Sequence, residues 1–243
     1  MTAVPVVDIR LAVLDMAGTT VDEGGAVYVA LAGAIGAALD RPVAEAEIRP
    51  WMGADKREAI TGLLTALRDV PTAAEVDDAF ADFSRRLDAA YLSTPPTPVA
   101  GVEAAMAAMR ANGVRVALTT GFPDRVAHAL LEALRWEVGR TIDAVVTAEQ
   151  VGAGRPSPRM IERVMALTGV TDPAAVAVAG DTVRDLEAGA NAGAAVVVGV
   201  LTGSQDAATL RAGPATHLLP SVAELPALLT ALRTGAGLAD PPR

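Results

Sequence analysis

Along most of this chain, short apolar runs that stop at a small or acidic residue alternate with segments whose apolar residues recur at helical spacing. The runs are 11–14, 114–119, 142–147, 175–179 and 195–200, with 217–219 a candidate edge strand. Helical spacing marks 102–112, 123–134, 157–168, 182–192, 207–212 and 223–232. A strand that is apolar throughout is buried on both faces, and strands separated by amphipathic helices run parallel, with helices packed above and below the sheet. The pattern predicts an α/β fold whose ligand site lies beyond the carboxyl ends of the strands.

One stretch breaks the alternation. Between the first two strands, 27–39, 56–67 (with Ile60, Leu63, Leu64 and Leu67) and 73–92 all have helical spacing. The stretch closes at Ser93-Thr94-Pro95-Pro96-Thr97-Pro98, which cannot continue a helix and reads as a stiff hinge. The expected organisation is a core of 1–22 and 97–243, with an all-helical cap of 23–96 inserted into it. Aromatic residues are only 3% of the chain, so Ala, Val and Leu must fill the core. The Gly/Pro-rich tail beyond the last helix is expected to fray.

Charge and composition narrow the partners. A net charge of -9 with no basic block argues against nucleic acid and anionic membranes, leaving a small soluble molecule. Residues 1–10 lack the basic start and apolar core of a signal peptide, and no run approaches the roughly 18 apolar residues that span a bilayer, so a cytoplasmic protein is expected. The absence of cysteine excludes thiolate chemistry, and two histidines, His128 and His217, make a multi-histidine metal centre a poor fit. His128, Trp51 and Trp136 read as structural, His217 as lying at a sheet edge, and the acidic run Glu75, Asp77, Asp78, Asp82 as a solvated helix face.

Placing every strand end on one sheet edge brings together Asp15, Thr119, Thr120, Gly180, Asp181 and Asp185, with Arg155 supplied from a loop. Singly, each has a bland use, as a strand end, a helix cap or a surface ion pair. Jointly they suit phosphoryl chemistry. Asp15 and Asp181 converge on a hard divalent cation, for which Mg2+ is the usual choice beside a phosphate, and Asp185 reaches the same ion or its waters. Thr120 and Gly121, at a helix start, and Arg155 can hold phosphoryl oxygens. No G-x-x-x-x-G-K-[ST] is present, and Gly152 and Gly154 lack the third glycine of a dinucleotide fingerprint. Of 20 basic residues only Lys56 is lysine. A buried amine can lose its proton and attack a carbonyl, as a guanidinium cannot, although most lysines merely sit in solvent.

The motifs Asp15-Met16-Ala17-Gly18-Thr19-Thr20-Val21-Asp22, Thr119-Thr120-Gly121, Gly154-Arg155-Pro156 and Gly180-Asp181-Thr182-Val183-Arg184-Asp185 resemble the four motifs of the haloacid dehalogenase superfamily. They are most similar to its phosphonatase, or phosphonoacetaldehyde hydrolase, branch. Ala17 stands where the phosphatases of the superfamily carry an acid, and Arg155 where they carry lysine. Arg49-Pro50-Trp51-Met52-Gly53-Ala54-Asp55-Lys56 resembles the cap segment whose lysine forms a Schiff base with the substrate aldehyde.

The resemblance implies a Rossmann-like core with a helical cap, and Asp15 as nucleophile with Lys56 as the imine-forming amine. It further implies Mg2+ on Asp15, the Ala17 carbonyl, Asp181 and Asp185, phosphate held by Thr119, Thr120, Gly121 and Arg155, and a substrate pocket including Met52 and Phe122. A homodimer paired through the caps is implied as well. Three positions depart from the branch: its histidine three residues beyond the lysine is Ala59, its cysteine is replaced around Gly25, and its tyrosine after Thr-Gly is Phe122. The alternatives are a phosphomonoesterase or phosphomutase of the same superfamily, against which Ala17 speaks, and a non-catalytic phosphate-ligand binding protein.

Overall fold

Each of the apolar runs forms a strand in the computed structural model, which describes residues 7–235. In chain order the elements are β1 (Leu11–Asp15), β2 (Val21–Asp22), α1 (Ala26–Leu39), α2 (Glu45–Ile48), α3 (Lys56–Leu67), α4 (Ala73–Ser93), β3 (Thr97–Pro98), α5 (Val102–Ala111), β4 (Arg115–Thr120), α6 (Asp124–Leu134), β5 (Ala144–Thr147), α7 (Ala148–Val151), α8 (Arg159–Thr168), β6 (Val176–Gly180), α9 (Val183–Asn191), β7 (Val196–Val200), α10 (Ala207–Ala212), β8 (His217–Leu219) and α11 (Leu225–Thr234). Six strands form one parallel sheet in the order β5-β4-β1-β6-β7-β8. The expected edge strand is β8, and His217 lies on it.

Alternation along the pleat explains why no position of β1 can be polar before its end. Leu11 and Val13 face Met160, Ile161 and Val164 of α8 and Ala188 of α9. Ala12 and Leu14 face the opposite way, into a core shared with Met106 of α5, Leu130 of α6 and Leu228 of α11. Each buried Leu, Val, Ile or Met among them stabilises the fold by about 1.5–3 kcal/mol. Asp15 is the first residue of the strand that has left this double-sided core.

The helices between β2 and β3 pack on one another, α1 lying along α4 with α3 beside them. Leu31, Ile35, Ile60, Leu63, Phe83 and Leu87 fill the space between them and continue into the core above the sheet. The chain leaves and re-enters the sheet body side by side, because Val21 pairs with Pro98 and Asp22 with Thr97 in a two-stranded antiparallel ribbon. Hydrophobic periodicity cannot detect a ribbon of two residues per strand, so the sequence predicts only the stiff hinge there. Short α2, α7 and the 3-10 turn Arg49–Trp51 escape for the same reason.

The tryptophans, His128 and the acidic run can each be placed within the described residues. Trp51 lies so close over Gly62 that a Cβ there would overlap its ring. Trp136 is buried and donates from Nε1 to Glu103 at 2.9 Å. His128 is exposed, its Nδ1 2.7 Å from the Asp124 carbonyl. Arginines Arg68, Arg57 and Arg86 pair with Glu75, Asp77 and Asp82 along the outside of α4. The expected fraying of the tail concerns residues from 236 onward, outside those described. No helix among the described residues is long and apolar enough to cross a membrane.

Candidate active site

Strand register places the acidic cluster. Asp15 ends β1 opposite Thr119 of β4, and on the other side β6 ends at Gly180, so that Asp181 follows at the same edge. Thr182 caps α9, its hydroxyl accepting from the Asp185 N–H while the Asp185 carboxylate reaches back to the Thr182 N–H at 3.1 Å. That reciprocal cap turns Asp185 inward rather than to solvent. One carboxylate oxygen from each of Asp15, Asp181 and Asp185 lies within 4.8 Å of the others, and all three side chains are buried.

Arg155, also buried, threads this cluster. Its Nη2 lies 2.7 Å from Asp15 Oδ1 and its Nε 2.8 Å from Asp185 Oδ1, while Nη2 also donates to the Thr119 carbonyl and hydroxyl at 3.0 Å each. Asp181 is oriented from the other side, where Ser204 donates from its N–H at 2.7 Å and its hydroxyl at 2.8 Å to Oδ2. Gly18 and Gly203 crowd the same carboxylate, and a Cβ at Gly18, whose φ is +81°, would lie 2.8 Å from Asp181 Oδ2. One guanidinium does not neutralise three buried carboxylates. Burial, and then the neighbouring acids, push the Asp15 carboxyl above its ordinary range despite Arg155, and burial with Asp185 does the same at Asp181. Buried carboxylate oxygens clustered this closely are chemically suited to a hard divalent cation.

The segment 52–56 closes over this edge. Gly53 takes φ +77°, and a Cβ there would overlap the Thr182 hydroxyl; the Ala54 carbonyl would meet a Cβ on Gly121 at 3.0 Å, and Asp55 Cβ one on Gly154 at 2.9 Å. Three glycines thus permit an approach so close that a Cβ at any of them would meet the opposite segment. Glu58 pairs with Arg184 at 3.0 Å across the same junction.

Lys56 is the first residue of α3, whose N-terminus is capped by Asp55 accepting from the Arg57 and Glu58 N–H groups at 3.0 Å each. The side chain turns inward and is only 6% exposed. Nζ donates to the Ala54 carbonyl at 2.9 Å and stands 5.9 Å from the centroid of the Phe122 ring. Burial pulls its pKa below that of an ordinary lysine, against the opposing pull of Asp55 and Asp15. The positive end of the α3 dipole works in the same direction as burial. Glu58 is committed to Arg184 and leaves the amine alone.

A narrow cavity of about 30 Å³ joins these groups: Asp15, Ala17, Lys56, Thr120, Gly121, Phe122, Arg155 and Asp181 all line it. A wider, solvent-open cleft of about 630 Å³ shares Ala17 and Asp181 with it and carries Met52 on its wall. The structure therefore brings together most of the residues singled out by sequence, with three in other places. Thr119 turns its hydroxyl to Arg155 rather than lining the cavity, Asp185 stands behind Arg155, and Met52 borders the cleft. The Thr120 hydroxyl donates to the Asp15 carbonyl at 2.8 Å and accepts from the Phe122 N–H at 3.1 Å. Ser204, and Tyr28, which borders both the cavity and the cleft, were not legible in the sequence. Ser204 lies in the loop that follows β7, on the predicted ligand edge, and that position was the one available signal.

A family model described as "Hydrolase: haloacid dehalogenase-like hydrolase" matches residues 9–193, most of the chain. The chain belongs to this family. Among haloacid dehalogenase-like relatives, the chain is 31% identical to a "Phosphonoacetaldehyde hydrolase" of Lactiplantibacillus plantarum, across 91% of this chain and 95% of that one. It is 28% identical to one of Latilactobacillus sakei subsp. sakei, across 93% and 97%. A solved "phoshonoacetaldehyde hydrolase like protein" from Oleispira antarctica shares the fold with a TM-score of 0.80 at 22% identity, covering 97% of this chain and 96% of that one. A "Putative beta-phosphoglucomutase" from Bacteroides vulgatus also shares it, with a TM-score of 0.77 at 18% identity and 96% and 92% coverage. The chain is thus a hydrolase of the haloacid dehalogenase-like family.

Proposed function

We propose that this hydrolase cleaves the carbon-phosphorus bond of phosphonoacetaldehyde or a closely related carbonyl phosphonate. The observation that carries the reading is the single lysine, buried in one cavity with Asp15 and Arg155. The relatives named phosphonoacetaldehyde hydrolase support it. In this reading 23–96 acts as the cap that brings Lys56 to the core.

The reaction begins with condensation of the Lys56 amine and the substrate carbonyl, which releases water. The Asp15 carboxylate then attacks phosphorus; the carbon-phosphorus electron pair moves into the iminium and departs as an enamine. Ala17 can neither donate nor accept a proton, and none is needed there, because the imine rather than an acid receives the leaving electrons. Hydrolysis of the aspartyl-phosphate and of the imine frees phosphate and acetaldehyde. Arg155, Gly121 and the Thr120 backbone hold the phosphoryl oxygens, with Thr119 fixing Arg155 from behind. Mg2+, held by Asp15, the Ala17 carbonyl and Asp181 with Asp185 in support, would offset the repulsion between carboxylate and phosphonate. The substrate is small and anionic.

Reduction with borohydride in the presence of phosphonoacetaldehyde tests the reading. The expected result is a two-carbon adduct on Lys56 by mass spectrometry, and phosphate release from phosphonoacetaldehyde without reductant. Turnover of sugar phosphates with no adduct and no phosphonate cleavage would instead identify a phosphomonoesterase.

The close approach at these glycines gives a second check. Gly53→Ala places a side chain at φ +77° against Thr182. The left-handed backbone alone costs about 1–2 kcal/mol, and lifting the cap segment withdraws Lys56 from the cavity. We expect kcat/KM to fall at least about tenfold, with the urea midpoint lowered by no more than that strain accounts for. Wild-type kinetics in this variant would show that closure of 52–56 does not matter.

A further inference from the structure

Forming an imine moves protons twice, and of the acids whose charge reaches Lys56, Asp55 caps α3 and Glu23 accepts from the Val27 N–H. Phe122 and the buried Ala59 carry no exchangeable proton. Of the proton-bearing side chains that line the narrow cavity beside Lys56, Asp15 is the group that attacks phosphorus, Asp181 is held by Ser204 and Thr19, Thr120 gives its hydrogen to the Asp15 carbonyl, and Arg155 is occupied by Asp15, Asp185 and Thr119. One remains: Tyr28, in the first turn of α1, which borders the narrow cavity and the solvent-open cleft alike. We propose that the Tyr28 hydroxyl is the proton-transfer group for imine formation at Lys56, an inference that rests on the lysine chemistry proposed above.

The step balances as follows. The unprotonated Nζ attacks the carbonyl carbon, a C–N bond forms, and the carbonyl π pair moves to oxygen. That oxygen takes the phenolic proton while the phenolic oxygen takes the proton shed by nitrogen, so Tyr28 ends as it began. In the second stage the nitrogen lone pair forms C=N, the C–O bond breaks, and the hydroxyl leaves as water with the phenolic proton. The phenolic oxygen then recovers a proton from solvent through the cleft. Burial, followed by the charges of Asp181, Asp15 and Glu23, raises the phenol's pKa, with Ser204 opposing, and so keeps the hydroxyl a donor. A donor that exchanges one proton for another in a single step is what such surroundings favour over a lasting phenolate.

Tyr28→Phe removes one oxygen and keeps the ring, and the readout is the rate of borohydride trapping of Lys56 with phosphonoacetaldehyde. Affinity for ethylphosphonate, which has no carbonyl, is measured alongside as a control for structure. The expected result is trapping slowed by about 10²-fold, the range for a positioned acid-base group, with ethylphosphonate affinity unchanged. Trapping at the wild-type rate would overturn the assignment and leave the imine reading intact. Equal losses of trapping and of ethylphosphonate affinity would also overturn it, assigning Tyr28 a structural role. If the unaltered protein is not trapped at all, both readings fall together.

Discussion

Lys56→Arg is expected to abolish turnover of phosphonoacetaldehyde, by at least about 10⁴-fold in kcat, the scale on which removal of a covalent catalytic group is felt. Arginine keeps the charge at this position, so the substitution separates two uses of Lys56 that the geometry alone allows. If the residue only grips an anionic substrate, a guanidinium serves, and activity survives within about tenfold. If it must lose a proton and attack a carbonyl, a guanidinium cannot, since it stays charged. Steady-state phosphate release decides between them. Because Lys56 is the only lysine in the sequence, reductive trapping should vanish entirely from the side chains of the variant.

The same amine sets a pH dependence. Its folded pKa lies below the ordinary value of 10.5, chiefly through burial. The attacking form is the unprotonated one, so the trapping rate should rise with pH and level off above the folded pKa, with a midpoint below that of a solvated lysine. A rate still rising through the usual lysine range would contradict the buried setting of the side chain.

How far the sequence alone reached is clearest at Asp15 and Lys56. Asp15 was legible because a strand buried on both faces excludes polar residues until it ends, so the first acid after Leu14 had to lie on the ligand edge. The helices of the insertion were legible by their spacing. Their closure onto the core was not, because it depends on Gly53, Gly121 and Gly154 making room for close contacts between segments far apart in sequence. Lys56 stood out by its count and by the resemblance of the segment 49–56, and that contact puts it in the cavity. Thr119 illustrates the reverse: its position at the strand end was right, but its hydroxyl bonds to Arg155, a choice made by side-chain geometry that no spacing encodes. Tyr28 and Ser204 were missed because a lone tyrosine on an apolar helix and a serine in a loop carry no periodic signal.

Asp15→Asn should divide the proposed reaction at its middle. An amide of the same shape cannot attack phosphorus, so phosphate release should fall by at least about 10⁴-fold. Lys56 is untouched, so the imine should still form, and with its consumption blocked the borohydride adduct should accumulate to at least the wild-type level. Loss of trapping together with turnover would mean that Asp15 is needed to admit the substrate, and the two-step order would fail. Stability should move the other way from activity. The Asp15 carboxyl is raised in the folded protein above its ordinary value of 3.8, chiefly by burial. Over the window from that ordinary value up to the raised one, the unfolded chain releases the proton while the folded chain keeps it. The group's contribution to stability is therefore lost as pH rises through that window. Asparagine removes the loss. With a chelator present to remove divalent cations, the variant should unfold at the same or higher urea concentration than the unaltered protein at neutral pH. A lower midpoint would mean that the ion pair to Arg155 outweighs the cost of burying the carboxylate.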